Sequence, residues 1–280
     1  MVHFPHFLIV LVINFLLIVT DTSYAVEFQE CNKFSNKDSR KFSDCLEYSF
    51  SEAVRKSEFG KIQNWLKNNP ESNKNKYSDY LTILMCGNHA DMSEGSRPFK
   101  AKNRKEIIKT TDMLLKLGAS FDAMPMFSIV TPLFCVSNRR DSQVLDYVLT
   151  RIKATKKDLD SCPYEGTDPA HVPLYRAVLN NDLKSAKILV KHGATPDFSI
   201  MENETALKVA LENNNIKIAN WLLDIGASVN KKDENNGCSG KSVLDYALEI
   251  PENTKGRKEI ISRIKMLMLL PSNFKEKCKK

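Results

Sequence analysis

The chain has 280 residues, 42% hydrophobic and 27% charged, a balance that excludes a disordered polymer too poor in apolar surface to fold. Lys and Arg outnumber Asp and Glu by 41 to 34, which points to nucleic acid or anionic membranes only where the cations gather. Here the lysines are mixed with Asp, Glu and Asn and interleave with no aromatics, so they read as solvated helix faces, and no nucleic-acid partner is expected.

The first element is apolar. Phe7 to Val19 is almost purely hydrophobic and is followed by the polar Thr20-Asp-Thr-Ser-Tyr-Ala25. Thirteen residues are too few to cross a bilayer core of roughly 30 Å as a helix. They fit the core of a secretory signal, and Ser23 and Ala25 supply the small residues for a cut after Ala25. The leading segment carries no Lys or Arg, which leaves an uncleaved N-terminal anchor as the alternative. Cleavage predicts a periplasmic or secreted chain with no membrane contact.

Downstream, apolar residues recur every three or four positions in paired runs, the pattern of helices with one buried face. In chain order the pairs are Ser49-Phe-Ser-Glu-Ala53 with Phe59 to Leu66, then Thr82-Ile-Leu-Met-Cys-Gly87 with Met113 to Ala119. Thr131-Pro-Leu-Phe-Cys-Val136 precedes Leu145 to Ile152, and Val172-Pro-Leu-Tyr-Arg-Ala177 precedes Ala186 to Ala194. Thr205-Ala-Leu-Lys-Val-Ala210 precedes Ala219 to Ala227, and Gly240 to Ala247 precedes Lys258 to Leu270. The fourth and fifth openings lie 33 residues apart, and both units close on Gly-Ala, at Gly193 and Gly226. Such a glycine suits the left-handed residue that ends a helix.

These openings and Gly-Ala endings resemble the ankyrin repeat, whose units begin T-P-L-H-x-A and finish L-L-x-x-G-A. The resemblance implies an all-α solenoid of about five to six irregular helix-turn-helix units over residues 47–270. The family's histidine is replaced by Met85, Phe134, Tyr175, Lys208 and Asp245, so a less regular stack is expected. Uneven spacing places insertions near 88–105 and 153–171; long loops inside an array are more often functional than filler. Residues 26–46 and the basic tail 271–280 lie where the stack needs polar covers.

The resemblance further implies a monomeric module that binds a protein on a concave surface of inner helices and loops. By position the contact residues are Asp122, Met124, Met126 and Phe127, then Asp197 and Phe198, then Asn230, Lys232 and Asp233. Met124 and Phe127 stand out as apolar residues in a loop. Their alternative role is to tuck against an insertion.

Other motifs carry less. Gly237 to Ser242 lacks the first glycine of a phosphate loop, since position 235 is Asn. His89, His171 and His192 have no ligand spacing, so neither metal nor cofactor is expected, and no nucleophile–base pair suggests an enzyme. Asn203-Glu-Thr205 matches a glycosylation acceptor, but Thr205 is better read as a helix cap. Cys31 and Cys45 close a short loop and form the expected bridge. Cys86 and Cys135 fall at one repeat position and are expected as buried free thiols, because packed helices lie about 8–10 Å apart and a disulfide needs α carbons within about 7 Å. Cys162, Cys238 and Cys278 are left open.

An ankyrin array behind a secretory signal, with this richness in Lys, Asn and Ile, points to the bacterial envelope. Three readings follow: a secreted or periplasmic binding module, a periplasmic inhibitor or immunity protein for a toxin enzyme, and an enzyme with its site in the insertions.

Overall fold

The computed structural model describes residues 28–34, 39–69, 75–86, 98–123, 131–160, 172–198, 204–230 and 240–269. The expected signal (1–25), the tail 271–280, and Cys162, Cys238 and Cys278 lie outside the described residues. Among those described there is no strand, and no helix is long and apolar enough to cross a membrane.

The chain divides into two units, 1–69 and 70–280. In the first, a 3-10 turn (Phe28–Phe34) packs on helix α1 (Ser39–Lys56), which is followed by α2 (Phe59–Asn68). Phe28 stacks on Trp65, ring centroids 4.9 Å apart, and meets Phe50 edge-on. Cys31 is fully buried and bonded to Cys45, with α carbons 5.6 Å apart. Where α1 turns into α2, Ser57 takes a left-handed φ of 62° and Glu58 N–H donates to the Ala53 carbonyl. The same closing bond runs from Asp182 to Ala177 and from Asn215 to Ala210 in the second unit.

The second unit stacks five helix pairs among the described residues. They are α3 (Asn75–Cys86) with α4 (Arg104–Leu117), α5 (Pro132–Asn138) with α6 (Ser142–Ile152), and, after the short α7 (Lys156–Leu159), α8 (Pro173–Leu179) with α9 (Leu183–Lys191). Then come α10 (Ala206–Glu212) with α11 (Ile216–Asp224) and α12 (Val243–Glu249) with α13 (Arg257–Leu269). The inner helices α3, α5, α8, α10 and α12 pack each on the next, burying Leu133, Leu174, Leu207 and Ala247 between them.

Local chemistry sets the boundaries. The hydroxyls of Thr131, Thr205 and Ser242 accept the N–H three residues on, and Pro132 and Pro173 occupy first-turn positions where no N–H is needed. Asp141 and Asp182 cap the outer helices in the same way. Arg140, Asn181 and Asn214 make the left-handed turn inside three successive pairs. Gly118, Gly193 and Gly226 end outer helices at φ of 106°, 109° and 88°, a region open to glycine at little cost. The α5–α6 pair has no glycine there, and Lys153 takes the left-handed place at φ 53°.

The α3–α4 pair departs from the sequence register. Thr82, read as the opening of that unit, is a buried mid-helix residue whose hydroxyl donates to the Ser78 carbonyl. Ser78 holds the opening position. Arg139 Nε donates to the Met85 carbonyl, just as Asn180 donates to Asn138 one pair later, and Arg139 and Asn180 each lie eight residues beyond their own opening, Thr131 and Val172. The residue in place of the family's histidine is therefore Leu81, not Met85. Positions four apart share one helix face, so apolar periodicity could not expose a slip of one turn.

The slip also corrects the reading of the thiols. Cys86 ends α3 and meets Cys135 of α5, the two α carbons 4.8 Å apart and the sulfurs bonded. The spacing of about 8–10 Å applies to helix axes, and α carbons on facing sides each stand about 2.3 Å off their axis. Facing residues thus approach to within bonding reach.

Candidate functional site

The loops that follow the outer helices line up along the stack. Each begins with an alanine (Ala119, Ala154, Ala194, Ala227) and then a hydroxyl residue (Ser120, Thr155, Thr195, Ser228). The N–H of that second residue is always bonded. Ser120 donates to the Ser78 hydroxyl (3.0 Å) and Thr155 to Asp158 (2.7 Å). Thr195 donates to Asp160 (2.8 Å), and Ser228 to Asp197 (2.9 Å). The Thr195 hydroxyl also bonds Asp160. Asp160 and Asp197 are thus struts that fix the third loop on the second and the fourth on the third.

Four of the nine expected contact residues fall in this row. Asp122 and Asn230 are exposed tips whose N–H groups are held by the Ser120 and Ser228 hydroxyls. Asp197 and Phe198 are half-buried, Asp197 as a strut and Phe198 with its N–H on the Thr195 carbonyl. Met124, Met126, Phe127, Lys232 and Asp233 lie outside the described residues.

Two carboxylates at the tips, Asp122 and Asp158, repel each other, and Lys157 offsets the charge of Asp158. Burial, followed by the charge of Asp158, pushes the Asp122 carboxyl above its usual range, although its edge reaches solvent. Asp158 is held below that range, first by hydrogen bonds from the Thr155 hydroxyl and backbone. An acid whose folded pKa is raised weakens the fold above that pKa, and the penalty fades as pH falls through it toward the unfolded value. Asp122→Asn should therefore raise the urea midpoint at neutral pH, with the gain gone well below pH 4. A midpoint lowered at neutral pH would mean that the carboxylate is stabilising instead.

The inner helices add less surface than the family pattern implies. Every residue of α5 is buried, and α10 is buried from Ala206 through Leu211. Side chains reach solvent in α8, at the half-buried Tyr175 and Arg176, and in α12, at Asp245, Leu248 and Glu249. Arg176 Nε donates to Asn138 Oδ1 (2.8 Å), and its guanidinium faces the Phe134 ring. The sequence reading missed Asp160 and Arg176. The signal for Arg176 was its repeat position, shared with Cys135, Val209 and Tyr246, which packs between pairs.

On the opposite side, outer helices are tied by ion pairs, Asp112 with Arg151, Asp146 with Lys191, and Asp224 with Arg263, and Asp146 also shares a hydrogen bond with His192. Burial, then a hydrogen bond with Asp112, pushes the Tyr147 hydroxyl up to about 12, so it stays neutral at neutral pH. Among the described residues no group of three or more His, Cys, Asp or Glu side chains could hold a metal ion.

Comparison with known proteins matches residues 133–233 to a family model described as ankyrin repeats (3 copies). No curated protein matches the chain.

Proposed function

We propose, from the premise that residues 133–233 of this chain are ankyrin repeats, that it is an exported module binding a protein along its row of repeat loops. Ankyrin repeats are in general protein–protein interaction modules. The observation that carries this reading is the cross-bracing of the row by Asp160 and Asp197, which holds the tips in place before any partner arrives. A preorganised row loses little conformational entropy on binding.

Asp122 and Asn230 are the contact residues best supported by exposure, and Asp197 acts through the loop it braces. Phe198 belongs to the same row, and Met124, Met126, Phe127, Lys232 and Asp233 are proposed as further contacts from their sequence positions alone. A cationic side chain of the partner set beside Asp122 would relieve its repulsion with Asp158. Export is supported by the apolar Phe7 to Val19 run and by two disulfides, which persist in oxidising compartments.

A photo-crosslinking residue placed at Asn230, and in a second variant at Lys187 on outer helix α9, tests the surface in the producing cells. A defined adduct from Asn230 and none from Lys187 is expected; the reverse would refute the loop row. N-terminal sequencing of the recovered chain tests cleavage of the signal. A start at Val26 is expected, and an intact Met1 in all fractions would refute it.

A further inference from the structure

We infer that the Cys86–Cys135 bridge is a redox-sensitive clamp on the junction between the second and third helix pairs, fixing the chain where it leaves α3 and where it returns before α4. The binding reading is not needed for this.

The clamp is built on one end of α5. Cys135 lies within that helix and holds Cys86, the last residue of α3. Arg139, just past the same helix, donates from Nε to the Met85 carbonyl at 2.6 Å. Its guanidinium lies 4.3 Å from the centroid of the Phe99 ring, and Phe99 is buried. Met85 and Cys86 are the outgoing end of the chain and Phe99 the returning end, so α5 grips both. Residues 87–97 lie outside the described residues and form no part of the clamp.

The two grips are coupled. The last carbonyls of a helix have no partner within it, and Arg139 reaches the one at Met85 only while the end of α3 stays against α5. The bridge enforces that approach. Once it opens, the end of α3 frays, as helix ends do, and Arg139 then loses its bond to the Met85 carbonyl, a contact that helps to place it over Phe99.

Opening needs a dithiol reductant. One thiolate attacks a sulfur of the bridge, releasing the other cysteine as its thiolate, and the second thiol of the reagent then displaces the first cysteine. The cystine is reduced by two electrons and takes up two protons, while the reagent closes to its cyclic disulfide. Both cysteines are buried, Cys86 at 7% and Cys135 at 2%, so the reductant reaches the bridge through local opening at the end of α3.

The test uses the full folded chain. Alkylation of unreduced, denatured protein should leave Cys86 and Cys135 unlabelled. Brief trypsin treatment then compares cleavage after Lys100, next to Phe99, with cleavage after Lys187 in α9. Dithiothreitol should speed the first by about tenfold and change the second by less than about twofold, since cleavage tracks local opening. Cys135→Ser should do the same without reductant and with Cys31–Cys45 intact. Arg139→Gln should speed cleavage after Lys100 while the bridge remains. Labelled Cys86 and Cys135 in unreduced protein would overturn the clamp. So would an equal rise at both sites, which marks global loosening, or no rise at Lys100.

Discussion

Asp141→Ala should lower the unfolding free energy by about 3 kcal/mol. The Asp141 side chain is fully buried and does two jobs at once. Its Oδ1 accepts the Val144 N–H and caps α6, and both its oxygens lie within 3.1 Å of Arg104 Nε on the neighbouring outer helix. Alanine removes the cap, worth about 1 kcal/mol, and leaves the guanidinium without its counter-charge. Arg104 is 30% exposed in its side chain, so water recovers part of that loss, which keeps the total toward the low end of the roughly 3–5 kcal/mol of a broken buried pair. Asp141→Asn retains a capping oxygen and should lose about half as much. Urea unfolding followed by circular dichroism measures both; a loss below about 1 kcal/mol for alanine would show that the cap alone matters.

Leu207→Ala should cost about 3 kcal/mol, and its effect should spread. Leu207 is fully buried in α10, which packs between α8 and α12. In a stack where each pair touches only its neighbours, stability is a sum of pair and interface terms. Removing the side chain weakens the pair and the interfaces it shares, so hydrogen exchange should quicken in α8, α10 and α12 together. Leu244 holds the matching position in α12 and is only half-buried. Its replacement by alanine should cost about 1 kcal/mol. Equal losses at the two positions would argue against a stack built on nearest neighbours.

The two interior pairs were legible because each local signal agreed with the next. Pro173, Thr205, Gly193 and Gly226 mark starts and stops by backbone chemistry alone, and the 33-residue interval between Val172 and Thr205 fixes the unit. The second pair was legible as helices but not in register. Thr82 and Ser78 are one turn apart on the same face, and both are small hydroxyl residues suited to a helix start. Only a contact made far along the chain, Arg139 on Met85, separates them. The cystine between Cys86 and Cys135 was hidden for the same reason.

At the loop row, the exposed tips Asp122 and Asn230 could be placed by counting from the glycines. The bracing by Asp160 could not, because that residue follows α7, a one-turn helix inserted after the third pair. Position alone also left open the division of labour between Asp197, which braces, and Asn230, which is presented.

The central claim is that a partner docks on the braced loop tips. It is tested most directly by titrating the protein recovered from the Asn230 adduct into wild type, an Asp122→Arg/Asn230→Arg variant and Lys187→Glu, each confirmed folded. The loop variant should bind on the order of tenfold more weakly or worse, with Lys187→Glu unchanged. Full affinity in the loop variant, with binding lost in Lys187→Glu, would contradict the account and move the interface to the outer helices.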